Sequence, residues 1–320
     1  MYKRITVTGT NIFFLVVMSA FLILNLATGI ALDIIKGGNS DLYSEQFIYI
    51  TTLINEYLLL LAPVLVLALV KKVNFKEFFR LNKLKAAPAL LIVIGAVPAY
   101  FAASMLNDLV IYVLQFIGDI PAQSIPVPKT PIELIVGILI IAVTPAICEE
   151  MLHRGLMLRA YEKRGTYRAV FITALFFGFF HFDITNFFGT AFLGLVIAYY
   201  VVRTNSIFAG MLAHFLNNSL AECIQYFLGD NSVQKTITIS SQELGGYVLY
   251  GIAGAILLAV LLLFFKKATR KTAVIVQPIS RKREDAKSIL THWPVIVFLC
   301  IYFFLAAIIV MSMIFARIQN

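Results

Sequence analysis

Two adjacent glutamates, a histidine and an arginine, Glu149, Glu150, His153 and Arg154, stand in the stretch CEEMLHRG at residues 148–155. They follow directly on PIELIVGILIIAVTPAI, seventeen residues with a single charge. Farther along, His181 ends FFGFFH, and His214 precedes two amides, Asn217 and Asn218, in AHFLNN. Glutamate and histidine are the side chains that most often take and give protons in catalysis, so acid–base chemistry is what these residues offer. Each lies in or beside an apolar run, and the elements that carry them decide whether they meet.

Of the 320 residues, 60% are hydrophobic and only 13% charged, and the mean hydropathy is +0.89. That is far more apolar surface than a soluble core of this length buries, so the chain reads as an integral membrane protein. The fold expected is all-α, a polytopic membrane helix bundle. Spanning the hydrocarbon takes roughly 20 apolar residues of helix. Stretches of that kind lie near 11–32, 47–70, 87–117, 131–158, 167–182, 186–202, 206–228, 245–265 and 293–316. This gives about nine transmembrane helices, or eight if the short fifth and sixth stretches do not each cross. The first stretch follows Lys3 and Arg4 as a signal peptide would, but it is too long for a usual apolar signal core and is read as a span. Residues 1–320 form one membrane domain with 131–228 as its catalytic core helices, flanked by helices within 1–130 and 229–320.

Basic residues favour cytoplasmic loops. With nine spans and a cytoplasmic amino terminus, the inner segments hold 21 of the 26 lysines and arginines. The outer segments hold only Lys36, Lys129, Lys235 and Arg317, beside acidic residues such as Asp33, Asp41, Glu45, Asp119, Asp230 and Glu243. The net charge of +9 therefore reads as membrane orientation, with the bilayer and no nucleic acid as the partner. The location expected is multi-pass in a membrane, the plasma membrane if the source is prokaryotic. The basic stretch 266–287 either fixes the topology of its flanking spans or binds anionic headgroups, and the first reading is the simpler. Cys148, Cys223 and Cys300 have no metal-type spacing and read as packing residues.

Ionisable groups inside a membrane are costly and face a protein interior or a hydrated cavity. At about 1.5 Å per residue of helix, Glu149 lies roughly 15 Å from Arg159, His181 roughly 20 Å from Arg168, and His214 and Asn218 roughly 16 and 22 Å from Arg203. Three helices thus bring a carboxylate, two imidazoles and an amide to one layer, as a site in a bundle core requires. Glu150 and Arg154, at i and i+4, stack on one helix face and form a structural pair. Glu149 points about 100° away around the helix and is the candidate base. His153 reads as a local helix contact, and Glu56 as either a supporting partner of the site or a link to a neighbouring helix. Gly178 reads as a point of close helix approach near His181.

Glu149, Glu150 and Arg154 fit Glu-Glu-x-x-x-Arg, Phe177 and His181 fit Phe-x-x-x-His, and His214 and Asn218 fit His-x-x-x-Asn. In this order, on successive apolar stretches, the set resembles the CPBP family of intramembrane proteases, named for CAAX processing and bacteriocin processing. The resemblance covers about residues 131–228. It implies hydrolysis of a peptide bond near or within the membrane by an activated water. Glu149 and His181 would hold and deprotonate the water, His214 and Asn218 would steady the oxyanion, and Glu150, Arg154 and Phe177 would support them.

The resemblance leaves metal use open. Glu149, His181 and His214 could serve as three zinc ligands with water in the fourth place, but no His-Glu-x-x-His pair is present, and the reading preferred needs no cofactor. The partner implied is a membrane-associated peptide or protein, prenylated or not. Two other classes share such residues, a proton-coupled transporter and a non-catalytic immunity or scaffold protein. The lack of an internal repeat speaks against the first, and the complete motif set against the second.

Overall fold

The computed structural model describes residues 5–36, 45–121, 126–228, 236–279 and 281–319. Lys3, Arg4, Asp41, Asp230 and Lys235, counted above for topology, lie outside these residues, as do the side chains of Asp33 and Lys36. The chain is an all-α bundle of α1 (Val7–Lys36), α2 (Glu45–Val70), short α3 (Phe75–Phe78), α4 (Ala86–Leu114), α5 (Pro131–Arg164), α6 (Thr166–Phe180), α7 (Phe187–Thr204), α8 (Ile207–Leu228), α9 (Ser241–Ala268), α10 (Lys282–Leu290) and α11 (Trp293–Gln319). The sheet among the described residues is one antiparallel bridge, β1 (Ile120–Pro121) with β2 (Thr236–Ile237).

Helices occupy all nine expected positions, and seven of them are long and apolar enough to cross a membrane. The two that fall short are informative. Helix α6 has only 15 residues, and α8 has the length but carries His214, Asn217, Asn218, Glu222 and Gln225. Both are wrapped by neighbours, α6 by α7 and α8 by α4, α5 and α7. Polar side chains there are screened from lipid by the surrounding helices, so the ordinary demand for an unbroken apolar span is relaxed.

Local chemistry sets the helix ends. Thr130 caps α5, its hydroxyl accepting from the Glu133 N–H at 3.2 Å, with Pro131 in the first turn. Ser240 and Glu243 cap α9 reciprocally. Helix α5 runs past Arg159, where the apolar stretch ends, to Arg164. Arg159 is offset by Glu162 at 3.2 Å, so the charge does not end the helix. The turn to α6 is made at Gly165, whose φ of +108° suits only glycine.

Among the described residues two large apolar clusters fill the bundle, beside a small third one that gathers Leu114, Ile120 and Met313. One joins α1, α2, α5, α6 and α11, with Phe14 edge-on to Phe176 and Phe298 at its centre. The other joins α4, α7 and α9 through Ile92, Val196, Tyr200 and Phe265. Cys148 is buried, Cys223 half-buried and Cys300 exposed, so Cys300 is not a packing residue. An apolar neighbourhood in sequence does not separate a lipid-facing side from a core-facing one.

The loops gather by charge. Arg80 pairs with Glu162, Arg164 and Arg168 with Asp285, and Arg203 with Thr269 and the Lys266 carbonyl, so four of the expected inner segments meet at one end. At the other end Arg317 meets Asp119 and Gln115 meets Ile239.

Candidate active site

Helix α5 is shaped by a proline. Pro145 has no N–H to direct at the Ile141 carbonyl, and residues Ile138–Val143 widen into a π-helical stretch in which the Thr144 N–H reaches back to Leu139. The Asn218 amide of α8 donates to the Ile141 oxygen at 3.1 Å. Asn218 in turn accepts from Asn217 at 3.2 Å. The break in one helix thereby orients a polar side chain on another. One Asn218 N–H remains for other partners.

Pro145 also precedes Glu149 and Glu150 by one turn. Glu150 is fully buried, and its Oε1 accepts from Arg154 Nη1 at 2.7 Å and from His214 Nδ1 at 3.1 Å. The pair expected within α5 is therefore one arm of a bridge to α8. Gly210 makes room for it, since a Cβ there would lie 2.6 Å from Glu150 Oε2. Arg154 also donates to the Gly194 carbonyl of α7 at 3.0 Å, and its guanidinium stands 4.4 Å from the centre of the Phe177 ring.

Phe177 does more than fill space. Its ring meets the rings of His153, His181 and His214 edge-on at 5.0, 5.1 and 5.6 Å. His181 ends α6, and its Nδ1–H donates to the Phe177 carbonyl at 2.9 Å. A carbonyl only accepts, so Nδ1 carries the hydrogen and Nε2 is left with its lone pair. The left-handed Phe182 then turns the chain away. Gly178 lets α7 approach, a Cβ there falling 2.9 Å from Ala191 Cβ and from the Phe187 oxygen. His153 donates to the Glu149 carbonyl at 3.0 Å and is otherwise enclosed by Phe14, Phe177 and Phe180.

A cavity of about 200 Å³ results, walled by Thr52, Ile141, Glu149, His181, His214 and Asn218 among others. The structure thus brings all four of the expected catalytic residues to one space, with Phe177 in its wall and Glu150 and Arg154 behind it. Glu149 is buried, and its Oε2 has no protein partner. Glu56, on a π-helical stretch of α2 that precedes Pro63, is hydrogen-bonded to the Glu149 carboxyl and keeps one oxygen unpartnered. That contact, and the link from Glu150 to His214, join separate helices and have no mark in local sequence spacing. Among the described residues no group of three or more histidine, cysteine or acidic side chains is gathered at metal-ligand spacing.

A multi-pass bundle with acid, imidazole and amide groups around one cavity defines an integral membrane protein with a polar site inside its helices. The family described as Rce1-like, Type II CAAX prenyl endopeptidase Rce1-like, has a model that matches residues 131–220. The match contains all seven motif residues, from Glu149 to Asn218, and is the same stretch that carries the resemblance to intramembrane proteases in the sequence. No curated protein and no solved structure matches the chain.

Proposed function

We propose that this chain is an intramembrane endopeptidase that cleaves a membrane-associated peptide with a water activated by Glu149 and His181. The observation that carries the reading is the single cavity holding Glu149, His181, His214 and Asn218. Water in it meets a carboxylate oxygen with no other partner and the lone pair of His181 Nε2. One water proton passes to Glu149 while the oxygen adds to the scissile carbonyl. The charge that forms on the carbonyl oxygen meets the remaining Asn218 N–H and His214 Nε2. To donate there while Nδ1–H stays on Glu150, His214 needs a hydrogen on both ring nitrogens; Glu150 already faces Arg154, so the balancing negative charge is that of Glu149 before proton transfer and of the oxyanion after it. Glu149 then hands its proton to the departing amine as the C–N bond breaks. No step in this scheme is routed through a metal.

The test is cleavage of a membrane peptide library by purified wild type and by Glu149→Ala, in detergent and in vesicles, with and without chelator. Products that depend on Glu149 and survive chelation support the proposal. Chelator-sensitive cleavage restored by zinc overturns the metal-free scheme, and cleavage that persists in Glu149→Ala overturns the choice of base.

A further inference from the structure

Helix α8 does not become apolar beyond the cavity. His214, Asn218, Glu222 and Gln225 recur at spacings of four, four and three, which puts them on one helix face within about 80° of each other. Glu222 is 2% exposed. Glu222 Oε2, Gln225 Oε1, Asn217 Oδ1 and the hydroxyl of neighbouring Ser219 are all shielded and have no protein partner. Buried polar atoms are satisfied by protein or by ordered water in nearly every case, and several together, all unpaired by protein, mark a place where water supplies the bonds.

The facing helices continue the same seam. On α5 the Ile141 carbonyl meets Asn218, and one turn outward Gly137 meets Glu222, where a Cβ would fall 2.6 Å from Oε2. Successive turns of the two antiparallel helices therefore face each other, and the outer one is left open by a glycine. On α2, Thr52 lines the cavity, and Tyr49, one turn outward, lies close enough to Glu45, Glu133 and Glu222 for their charges to act on its hydroxyl. Three helices thus present polar groups in register, running from the cavity toward the end of the bundle opposite the arginine-rich loops.

We propose that the seam between α2, α5 and α8 is a hydrated route that brings water to the cavity from the end opposite the basic segments, with Glu222 as its narrowest polar station. The proposal stands apart from the reading of the cavity as a protease site, because a route for water is detectable without any cleavage.

The experiment replaces Cys148, Cys223 and Cys300, then places single cysteines at Glu222, Gln225 and, as a lipid-facing control on α9, Leu249, which is 66% exposed. A small, positively charged, membrane-impermeant thiosulfonate is added to either side of oriented vesicles. Only an ionised thiol reacts, and ionisation needs water. Glu222→Cys and Gln225→Cys are expected to react at least about tenfold faster than Leu249→Cys, and only from the side opposite the basic loops. Adding Gly137→Leu should slow Glu222→Cys to the rate of the control. If either cysteine fails to fold, the other carries the measurement. Rates no faster than the control, or labelling from the basic side alone, overturn the route.

Discussion

The arginine-rich end of the bundle and the cavity in its middle both bury charge, and they handle it in opposite ways. At the basic end Arg80 gives Nε to Asn205 at 3.0 Å and Nη2 to Glu162 at 2.5 Å, and Glu162 also accepts from Arg159 at 3.2 Å. Burial pulls the Arg80 guanidinium below its ordinary pKa, and the Glu162 carboxylate pushes it back up. Carboxylate oxygens there face guanidinium groups. At the cavity, Glu149 keeps an oxygen that no protein group meets. Paired charge ties loops together, whereas a lone pair held open in a shielded space is available to a reactant. The difference teaches which buried acids hold this fold and which are free to react.

The comparison breaks if both regions respond alike to substitution. The largest effects on stability are expected where a buried carboxylate loses its buried guanidinium. Arg154→Ala leaves Glu150 with His214 as its remaining partner, and Arg80→Ala leaves Glu162 with the partly exposed Arg159, each costing about 3 kcal/mol. Melting in detergent should show both clearly below wild type, and below Glu149→Gln. Equal melting of all three would mean that the pairs carry no structural weight.

Asn218→Ala comes next, in activity and not in folding. Loss of one oxyanion donor of two should lower kcat by about 10²- to 10³-fold. Cleavage by the folded variant at saturating peptide reads this directly, and an unchanged kcat would remove Asn218 from the site.

Glu56 sharpens the contrast. Glu56→Leu removes the contact with Glu149, and kcat should fall about fivefold, in line with loss of about 1 kcal/mol of hydrogen bonding. Glu56→Gln restores a donor and should recover most of the rate. A shared fall in both variants would assign Glu56 a role other than holding Glu149. The smallest effect belongs to the Arg317–Asp119 pair, 3.0 Å long but with Arg317 43% exposed. Arg317→Ala should cost about 0–1 kcal/mol in a thermal melt.

Much of this arrangement is legible in the sequence because the relevant signals are local. Nine helical positions follow from hydropathy runs, and the common layer of Glu149, His181, His214 and Asn218 follows from counting along each run. What escapes is contact between helices. Glu150 reads as a partner of Arg154 at i+4, yet its bond to His214 spans 64 residues. The link of Glu56 to Glu149 is of the same kind. The end of α5 is misplaced at Arg159 because the neutralising Glu162 and the distant Arg80 are invisible to a window of hydropathy. Glu222 is different, since its place one turn beyond Asn218 extends the polar stripe in plain view. What spacing alone does not show is that Glu222 is buried against Gly137.

The central claim is that Glu149 is the base of one hydrolytic cavity. Its most direct measurement is single-turnover cleavage of a membrane peptide by purified wild type and Glu149→Gln, with peptide binding followed in the same samples. Glutamine keeps the shape of the side chain and cannot take the proton. The expected result is unchanged binding with cleavage reduced to the background, and cleavage by Glu149→Gln at the wild-type rate would contradict the account.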